Sequence, residues 1–169
     1  MRNLLSFLYR NYIVRGIARS DRISEEEFVK FVGDHPERFD ISWSDNHCLV
    51  TAKMEPGYES IIYMIISEGF RGQGLGGAII DSWLKSRAEV KVLLECSVDN
   101  PHAKAFWIKH GFDVVTEYTA AKLTNDESGL PHRMTLMSNF GTHFVEEENQ
   151  RLRKMLYKYT YPPWVFEKQ

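Results

Sequence analysis

The chain has 169 residues, of which 43% are hydrophobic and 26% charged, and its formal net charge at pH 7 is −2. These values predict one globular domain with a hydrophobic core, and the balanced charge argues against a nucleic-acid partner. No apolar run is as long as a transmembrane helix, so no membrane partner is expected.

The cysteines and the N-terminus indicate the compartment. Cys48 and Cys96 both lie in apolar, strand-like stretches, which fits a reducing environment rather than a disulfide scaffold. The apolar run from Leu4 to Tyr9 is followed by Arg10 and by no small-residue cleavage site, so a signal peptide is not expected. We therefore expect a cytoplasmic protein.

The first forty residues are predicted to contain a strand and a helix. Residues 1–10 form an amphipathic lead-in, and residues 12–18 are predicted to be the first strand. Ser24 and Glu27 have the spacing of a capping box, in which each side chain accepts a hydrogen bond from the other's backbone N–H. The helix that begins there ends at His35-Pro36, and residues 37–40 can add one turn. Its predicted buried face carries Phe28, Phe31 and Val32.

Three strands are predicted next. Residues 41–43 and 47–54 are expected to pair antiparallel around a Ser-Asp-Asn turn at 44–46. Pro56-Gly57 then turns the chain into an apolar strand at Ile61.

A glycine-rich turn follows that strand, in the stretch IIYMIISEGFRGQGLGGAII from Ile61 to Ile80. Its glycines permit positive φ and close approach by another group. A helix that begins there points its unpaired N–H groups and the positive end of its dipole at the turn. Arg71 adds a positive charge beside them. This pattern predicts a phosphate-binding site built mainly from backbone groups.

Other interpretations of the turn are less favoured. The nucleotide-triphosphatase loop needs Gly-Lys-Ser/Thr, which does not follow Gly76 or Gly77. The dinucleotide fingerprint fits by spacing, but this turn lies in mid-chain, with little room for the long domain that the fingerprint requires. A structural turn without a ligand is disfavoured by four glycines and an arginine within seven residues.

A strand and a short helix follow at residues 90–97 and 100–112. Asn100 is predicted to cap the helix, Pro101 suits its first position, and Gly111 suits the left-handed residue after its last turn. The predicted buried stripe of this helix carries Ala103, Phe106, Trp107 and His110.

The rest of the chain is predicted to form a hairpin and a C-terminal helix. Residues 112–123 and 132–137 are expected to pair across a turn at 125–129. The helix at 142–159 has an apolar side and precedes an aromatic tail, YPPWVF. We assign residues 1–140 to the domain, and residues 141–169 to a segment packed on that domain, on a partner subunit in a homodimer, or against the substrate. The apolar side of the helix carries Phe144, Leu152, Met155, Leu156 and Tyr159.

Two blocks of sequence resemble the GNAT superfamily of acyl-CoA-dependent N-acetyltransferases. The first is RGQGLG at 71–76, and the second runs from LECSVDN at 94–100 through Ala103 and Phe106-Trp107 to Gly111-Phe112. They match the family pattern of Arg/Gln-x-x-Gly-x-Gly/Ala at a strand-to-helix turn, then a strand ending in Asn and a helix closed by Gly-Phe. The resemblance covers residues 61–115 and implies a mixed α/β, or α+β, fold with a twisted sheet flanked by helices.

The resemblance also implies acetyl-CoA as cosubstrate and an amine as acceptor. The turn would bind the pyrophosphate, and the strand at 65–67 would pair with the amide-rich pantetheine arm. This strand and the one at 92–95 are then expected to splay apart. Asn100 hydrogen-bonds near the arm in the family, which we weigh equally with its role as a cap. The predicted cosubstrate residues are Ile65, Ile66, Ser67, Arg71, Gly72, Gln73, Gly74, Leu75, Gly76, Gly77, Asn100, Ala103, Phe106 and Trp107.

Transfer to an amine needs a base, and Glu95 is the first candidate. A carboxylate near the end of a buried strand is costly unless it is paired or used, and burial raises its pKa toward neutral pH. Glu95 resembles the Glu at this position in protein N-terminal acetyltransferases of the family. The alternative is a structural Glu paired with a nearby Arg or Lys. Glu59 or Tyr63, on the preceding strand, is a second candidate acting through water.

Trp107 departs from the family pattern, which has a Tyr that protonates the departing thiolate. An indole N–H donates a hydrogen bond but cannot usefully lose its proton, so a Tyr-based mechanism is excluded at this position. Because a thiolate leaves readily, activity is not excluded. Tyr118 or a water is the candidate replacement, and simple packing also explains Trp107.

These observations favour an N-acetyltransferase that acts on a primary amine of a small molecule, a protein N-terminus or a lysine. The alternative is a catalytically decayed acyl-CoA-binding module, which Trp107 and the C-terminal extension motivate. An enzyme acting on charged transfer RNA would need a basic face that the composition does not show. The six histidines have no metal-ligand spacing, so no metal is expected.

Overall fold

The computed structural model describes residues 1–17, 23–120, 132–141 and 144–162. Helix α1 (Arg2–Leu8) continues through a π-helical segment (Tyr9–Ile13) into α2 (Val14–Gly16). The later elements are α3 (Glu25–Asp34), β1 (Phe39–Ser44), β2 (His47–Lys53), β3 (Tyr58–Ile66), a 3₁₀ turn (Glu68–Phe70), α4 (Leu75–Lys85), β4 (Lys91–Ser97), α5 (Pro101–Lys109), β5 (Asp113–Ala120), β6 (His132–Ser138) and α6 (Glu146–Thr160).

The six strands form one mixed sheet in the order β1-β2-β3-β4-β6-β5. Strands β3 and β4 are parallel, and every other neighbouring pair is antiparallel. Helices α4 and α5 pack on one face, while α1, α3 and α6 pack on the other. This arrangement is the GNAT-like fold, with a mixed sheet between helices, that the sequence predicted.

The predicted first strand is wrong, because residues 12–16 are helical. Apolar residues recur three or four positions apart from Leu5 to Ile13, and they bury one helical face against α3 and the sheet. That burial overrides the strand preference of residues such as Tyr12 and Ile13. The predicted extra turn at 37–40 is likewise cut short, because β1 begins at Phe39.

The predicted caps are confirmed. In α3, the Glu27 backbone N–H donates to Ser24 Oγ at 3.3 Å, and the Ser24 backbone N–H donates to Glu27 Oε2 at 2.9 Å. In α5, the Ala103 backbone N–H donates to Asn100 Oδ1 at 3.0 Å. Gly111, just beyond α5, has a φ of +85°. Short-range hydrogen bonds therefore determine where these helices begin and end.

The C-terminal part agrees with its predicted element types. Strands β5 and β6 pair antiparallel, and the predicted turn at 125–129 lies outside the described residues. Helix α6 begins at Glu146, and of the predicted aromatic tail only Tyr161 and Pro162 are described. No helix in the described ranges is long and apolar enough to cross a membrane.

Helix α6 packs on the sheet of its own chain. Leu152 is fully buried, Leu156 is buried beside it, and both contact a cluster that includes Leu93 of β4 and Leu136 of β6. Hydrophobic burial therefore holds the C-terminal helix against the strands at the centre of the molecule.

We expect Leu152→Ala to lower the free energy of unfolding by about 2–4 kcal/mol, because it leaves a cavity between α6 and the sheet. Urea denaturation followed by circular dichroism measures the change. The matched control is Lys154→Ala, an exposed position on the same helix, with an expected change within about 0.5 kcal/mol. Equal stability of the two variants would show that α6 is not part of the cooperative fold.

Candidate active site

The centre of the sheet opens where β3 and β4 stop pairing. Their parallel ladder runs from Tyr58↔Lys91 to Ile61↔Leu94 and then ends, although β3 continues to Ile66 and β4 to Ser97. The strands therefore part as the resemblance implies. A cavity at this opening is lined by β3, β4, α3, α5 and α6, including Tyr63, Met64, Glu95, Trp107 and Tyr161.

The glycine turn lies at the end of β3 and faces open space. Gly72 and Gly74 have φ values of +74° and +78°, and a Cβ atom at either would have no neighbour within 4 Å. Gly74 is the N-cap of α4, and no side chain caps the helix. The first N–H groups of α4, which begins at Leu75, are therefore left for another acceptor.

Two side chains stiffen the turn. Arg71 Nε donates to the Ile66 carbonyl oxygen at 2.9 Å, and Gln73 Nε2 donates to the Gly69 carbonyl oxygen at 3.0 Å. At the same strand end, Ser67 Oγ donates to the Asp45 carbonyl oxygen at 2.9 Å. These bonds hold the Arg71 charge next to the end of β3.

The other two glycines let α4 lie close to its neighbours. A Cβ atom at Gly76 would lie 3.4 Å from both Ile66 and Phe106, and one at Gly77 would lie 2.7 Å from the His110 ring. His110 is mostly buried, and its Nδ1 lies 2.8 Å from Asp81 Oδ1. Close packing of α4 against β3 and α5 thus fixes the position of the turn that precedes α4.

On the α5 side, the predicted stripe faces the sheet. Trp107 is buried and packs edge-on against Phe112, with ring centroids 5.4 Å apart. Ala103 and Trp107 both line the cavity, and so does Asn100, which also caps the helix. The indole therefore packs in the core and borders the opening as well.

Glu95 is the first residue of β4 beyond the paired segment, on the face covered by α6. The Tyr161 hydroxyl donates a hydrogen bond to Glu95 Oε2 at 2.8 Å. Glu95 Oε1 is buried and has no hydrogen-bond partner among the described residues. Burial raises the pKa of Glu95 to about 7, although hydrogen bonding by Tyr161, the charge of Arg153 and the nearby Tyr157 oppose the rise. A carboxylate with this pKa exchanges protons efficiently at neutral pH.

The alternative role of Glu95, as half of an ion pair, finds no support in the part of the chain that the structure describes. There, no Lys or Arg nitrogen lies within ion-pair distance of Glu95. Arg153 acts on Glu95 only through its charge, because its guanidinium stacks 3.9 Å from the centre of the Tyr118 ring.

The structure does not bring the other two candidate groups into the cavity. Glu59 accepts a hydrogen bond from Arg87 Nε at 2.8 Å and lies in the paired part of β3. The Tyr118 hydroxyl is buried between β5 and α6. Neither residue lines the opening, while Tyr63 does.

Sequence reasoning left open whether the C-terminal segment lies against the substrate, and it did not single out the residues of that segment that face Glu95. Arg153, Tyr157 and Tyr161 recur every fourth residue, so helical spacing predicts that they share one side of the C-terminal segment. That spacing is the signal that indicates a polar stripe beside the apolar one. No sequence pattern shows that the stripe faces Glu95.

The described residues contain no group of three or more His, Cys, Asp or Glu side chains placed to hold a metal ion. Cys48 and Cys96 are buried free thiols, and burial raises the pKa of Cys48 to about 12. A thiol with so high a pKa is a poor nucleophile at neutral pH.

Comparison with known proteins identifies the class to which this fold and site belong. The model of the acetyltransferase (GNAT) family matches residues 5–112, so the chain belongs to that family. It is an acyl-CoA-dependent acetyltransferase. Comparison with curated proteins gives no match.

Solved structures share the fold at low sequence identity. A putative GNAT-family acetyltransferase from Bacteroides thetaiotaomicron is 15% identical, with 92% of this chain and 90% of that chain covered and a TM-score of 0.67. The ribosomal-protein-S18-alanine N-acetyltransferase from Escherichia coli is 16% identical, with coverages of 86% and 90% and a TM-score of 0.58. A Bacillus subtilis acetyltransferase in complex with CoA is 12% identical, with coverages of 69% and 84% and a TM-score of 0.52.

The raised pKa of Glu95 makes stability depend on pH. Its protonated form contributes stability that is fully present below about pH 4.5 and is lost as pH rises through about 7. Glu95→Gln removes this dependence, so its unfolding free energy relative to the wild type should grow by about 3 kcal/mol between pH 4.5 and 8. Urea denaturation at several pH values measures it. Glu26→Gln, an exposed change on α3, is the control, and parallel profiles for all three proteins would contradict the prediction.

Proposed function

We propose that the protein transfers the acetyl group of acetyl-CoA to the nitrogen of a primary amine, which attacks the thioester directly, with Glu95 as general base. The observation that carries this proposal is the position of Glu95. Its buried carboxylate, with a pKa near 7, lies where β3 and β4 part. Membership of the family accounts for acetyl transfer in general, and this carboxylate supports the choice of base.

The residues at the opening fit acetyl-CoA. A pyrophosphate needs N–H donors and positive charge, and the N-terminus of α4 with Arg71 offers both beside an open turn. A pantetheine arm resembles a peptide and can pair with a strand edge, which β3 offers beyond Ile61. The Bacillus subtilis structure, a complex with CoA, is consistent with this assignment.

Bound acetyl-CoA supplies an activated acyl group and a thiolate leaving group, so no acid is needed where the family has Tyr and this chain has Trp107. Glu95 Oε1 accepts a proton from the ammonium form of the acceptor, which frees the nitrogen lone pair to attack the acyl carbon. The C–S bond then breaks, CoA leaves as the thiolate, and that thiolate takes up the second proton that the nitrogen loses as the amide forms. Tyr161 remains bonded to Oε2 and holds the carboxyl group during the proton transfer. Trp107 and Met64 line the same opening as Glu95.

The cavity favours an amine with an apolar body and a single positive charge. Phe28 and Phe31 of α3 and Phe39 of β1 line one end of it. Among its described lining residues, Glu95 is the only acidic side chain. A polyamine would place a second ammonium group near aromatic rings with no carboxylate to pair with it, which is costly. We therefore propose a monoamine with an apolar substituent as the acceptor.

The cosubstrate assignment can be tested by calorimetric titration with acetyl-CoA. We expect Gly74→Glu to weaken saturable binding by at least about tenfold, because a carboxylate would repel the pyrophosphate at the N-terminus of α4. Gly57→Glu is the matched control, since Gly57 also has a positive φ, of +82°, and an open environment, but lies at the opposite end of β3. Equal affinities in both variants would remove the pyrophosphate from this turn.

The acceptor and the base can be tested by following CoA release with 2-phenylethylamine, spermidine and an alanine-initiated tetrapeptide. We expect kcat/KM for 2-phenylethylamine to exceed that for spermidine by about tenfold or more.

Glu95→Gln should lower kcat by about 10²–10⁴-fold and leave acetyl-CoA affinity unchanged. Full activity of Glu95→Gln would remove Glu95 as base, and binding without turnover of any amine would favour a non-catalytic acyl-CoA-binding module.

A further inference from the structure

The C-terminal segment places aromatic hydroxyl groups around Glu95. Tyr161, just after α6, donates to Glu95 Oε2 at 2.8 Å across a sequence separation of 66 residues. Tyr157, one helical turn earlier, packs edge-on against Tyr161 with ring centroids 5.3 Å apart. Both residues therefore belong to the surroundings of the proposed base, although they lie far from it in the chain.

Both phenols keep their protons under working conditions and can therefore donate hydrogen bonds. Burial and the nearby charge of Glu95 raise the pKa of Tyr161 well above its ordinary value, and the pKa of Tyr157 is raised for the same two reasons. Each therefore keeps its proton, and a protonated phenol stabilises the charged form of a carboxylate by donating to it.

The groups around Glu95 oppose the effect of burial. Arg153 and Tyr157 face it from α6, Tyr161 faces it from the segment after α6, and Tyr63 of β3 lies beside Tyr161. Arg153, Tyr157 and Tyr161 favour the carboxylate, whereas burial favours the protonated acid. The C-terminal segment thus supplies the described groups that keep this buried base in its reactive form.

The docking of α6 fixes this arrangement. Leu152 and Leu156 of α6 pack against Leu93, two residues before Glu95 on the same face of β4, and against Leu136, which is paired with Glu95. The hydrophobic contact that holds the helix is therefore adjacent to the carboxylate. Movement of α6 would displace Tyr157 and Tyr161 from Glu95.

We infer that Tyr161, assisted by Tyr157, is a positioning residue for acetyl transfer, which holds Glu95 through Oε2, keeps it ionised and leaves Oε1 for the amine. This inference rests on the proposed role of Glu95 as base. It assigns the C-terminal helix and the residue that follows it to the active site of their own chain.

The test is the pH dependence of acetyl transfer by Tyr161→Phe, with Tyr159→Phe as matched control. Tyr159 lies in the last turn of α6, two residues before Tyr161, but its ring faces Arg38 instead of Glu95. Loss of the Tyr161 hydroxyl removes a stabiliser of the carboxylate, so the acidic limb of the kcat/KM profile, where the rate rises with pH, should move up by about one pH unit. The rate relative to wild type should be about fivefold lower at pH 7 and return close to one at pH 9. The ionisation of the amine cancels in this ratio.

A second readout, the pH dependence of the free energy of unfolding, needs no amine substrate. In the wild type, the free energy of unfolding should stop falling with pH near pH 7, whereas in Tyr161→Phe the fall should continue for about one further pH unit. Tyr157→Phe should shift both readouts in the same direction, which provides a second variant if Tyr161→Phe does not fold.

The outcomes separate the two proposals. An acidic limb that is present in the wild type but unmoved in Tyr161→Phe and Tyr157→Phe overturns this inference and leaves Glu95 as base. A uniform loss of rate at every pH, with unchanged unfolding profiles, also overturns it, because that pattern reports only a structural role. Absence of the limb in the wild type, with full activity in Glu95→Gln, overturns the proposed function itself.

Discussion

The end of the β3–β4 ladder is the constraint on which the rest of the site depends. After Ile61 and Leu94 the two strands no longer pair, so β3 presents an edge and Glu95 borders a cavity. Because β3 and β4 are parallel, their carboxyl ends meet at the same edge of the sheet. The glycine turn that follows β3 and the end of β4 that carries Glu95 therefore lie at the same edge of the sheet.

The second constraint is the burial of Glu95. Full pairing with Lys or Arg would hold its pKa low and make it a weak base, while burial without partners would keep it protonated. The structure lies between these limits, because a neutral phenol bonds to one oxygen and Arg153 stacks on the Tyr118 ring instead of forming an ion pair. The resulting pKa of about 7 suits proton transfer at neutral pH.

Particular residues show why some elements were predictable. The capping box at Ser24 and the cap at Asn100 are contacts between residues three positions apart, so the sequence carries all the information they need. The segment around Tyr12 was predicted as a strand because its residues favour strands. Its helical state follows from burial against α3 and the sheet, and a short sequence window does not contain that information.

The sequence by itself determined the glycine turn, the ends of α5 and the face of β4 that carries Glu95, because these depend on local backbone geometry and on strand alternation. Only the tertiary structure decided that Glu59 pairs with Arg87 and that Tyr161 bonds to Glu95. Both contacts join residues distant in sequence. The second exists because the buried leucines of α6 dock that helix on β4 and β6, and docking follows from the packing of the whole core.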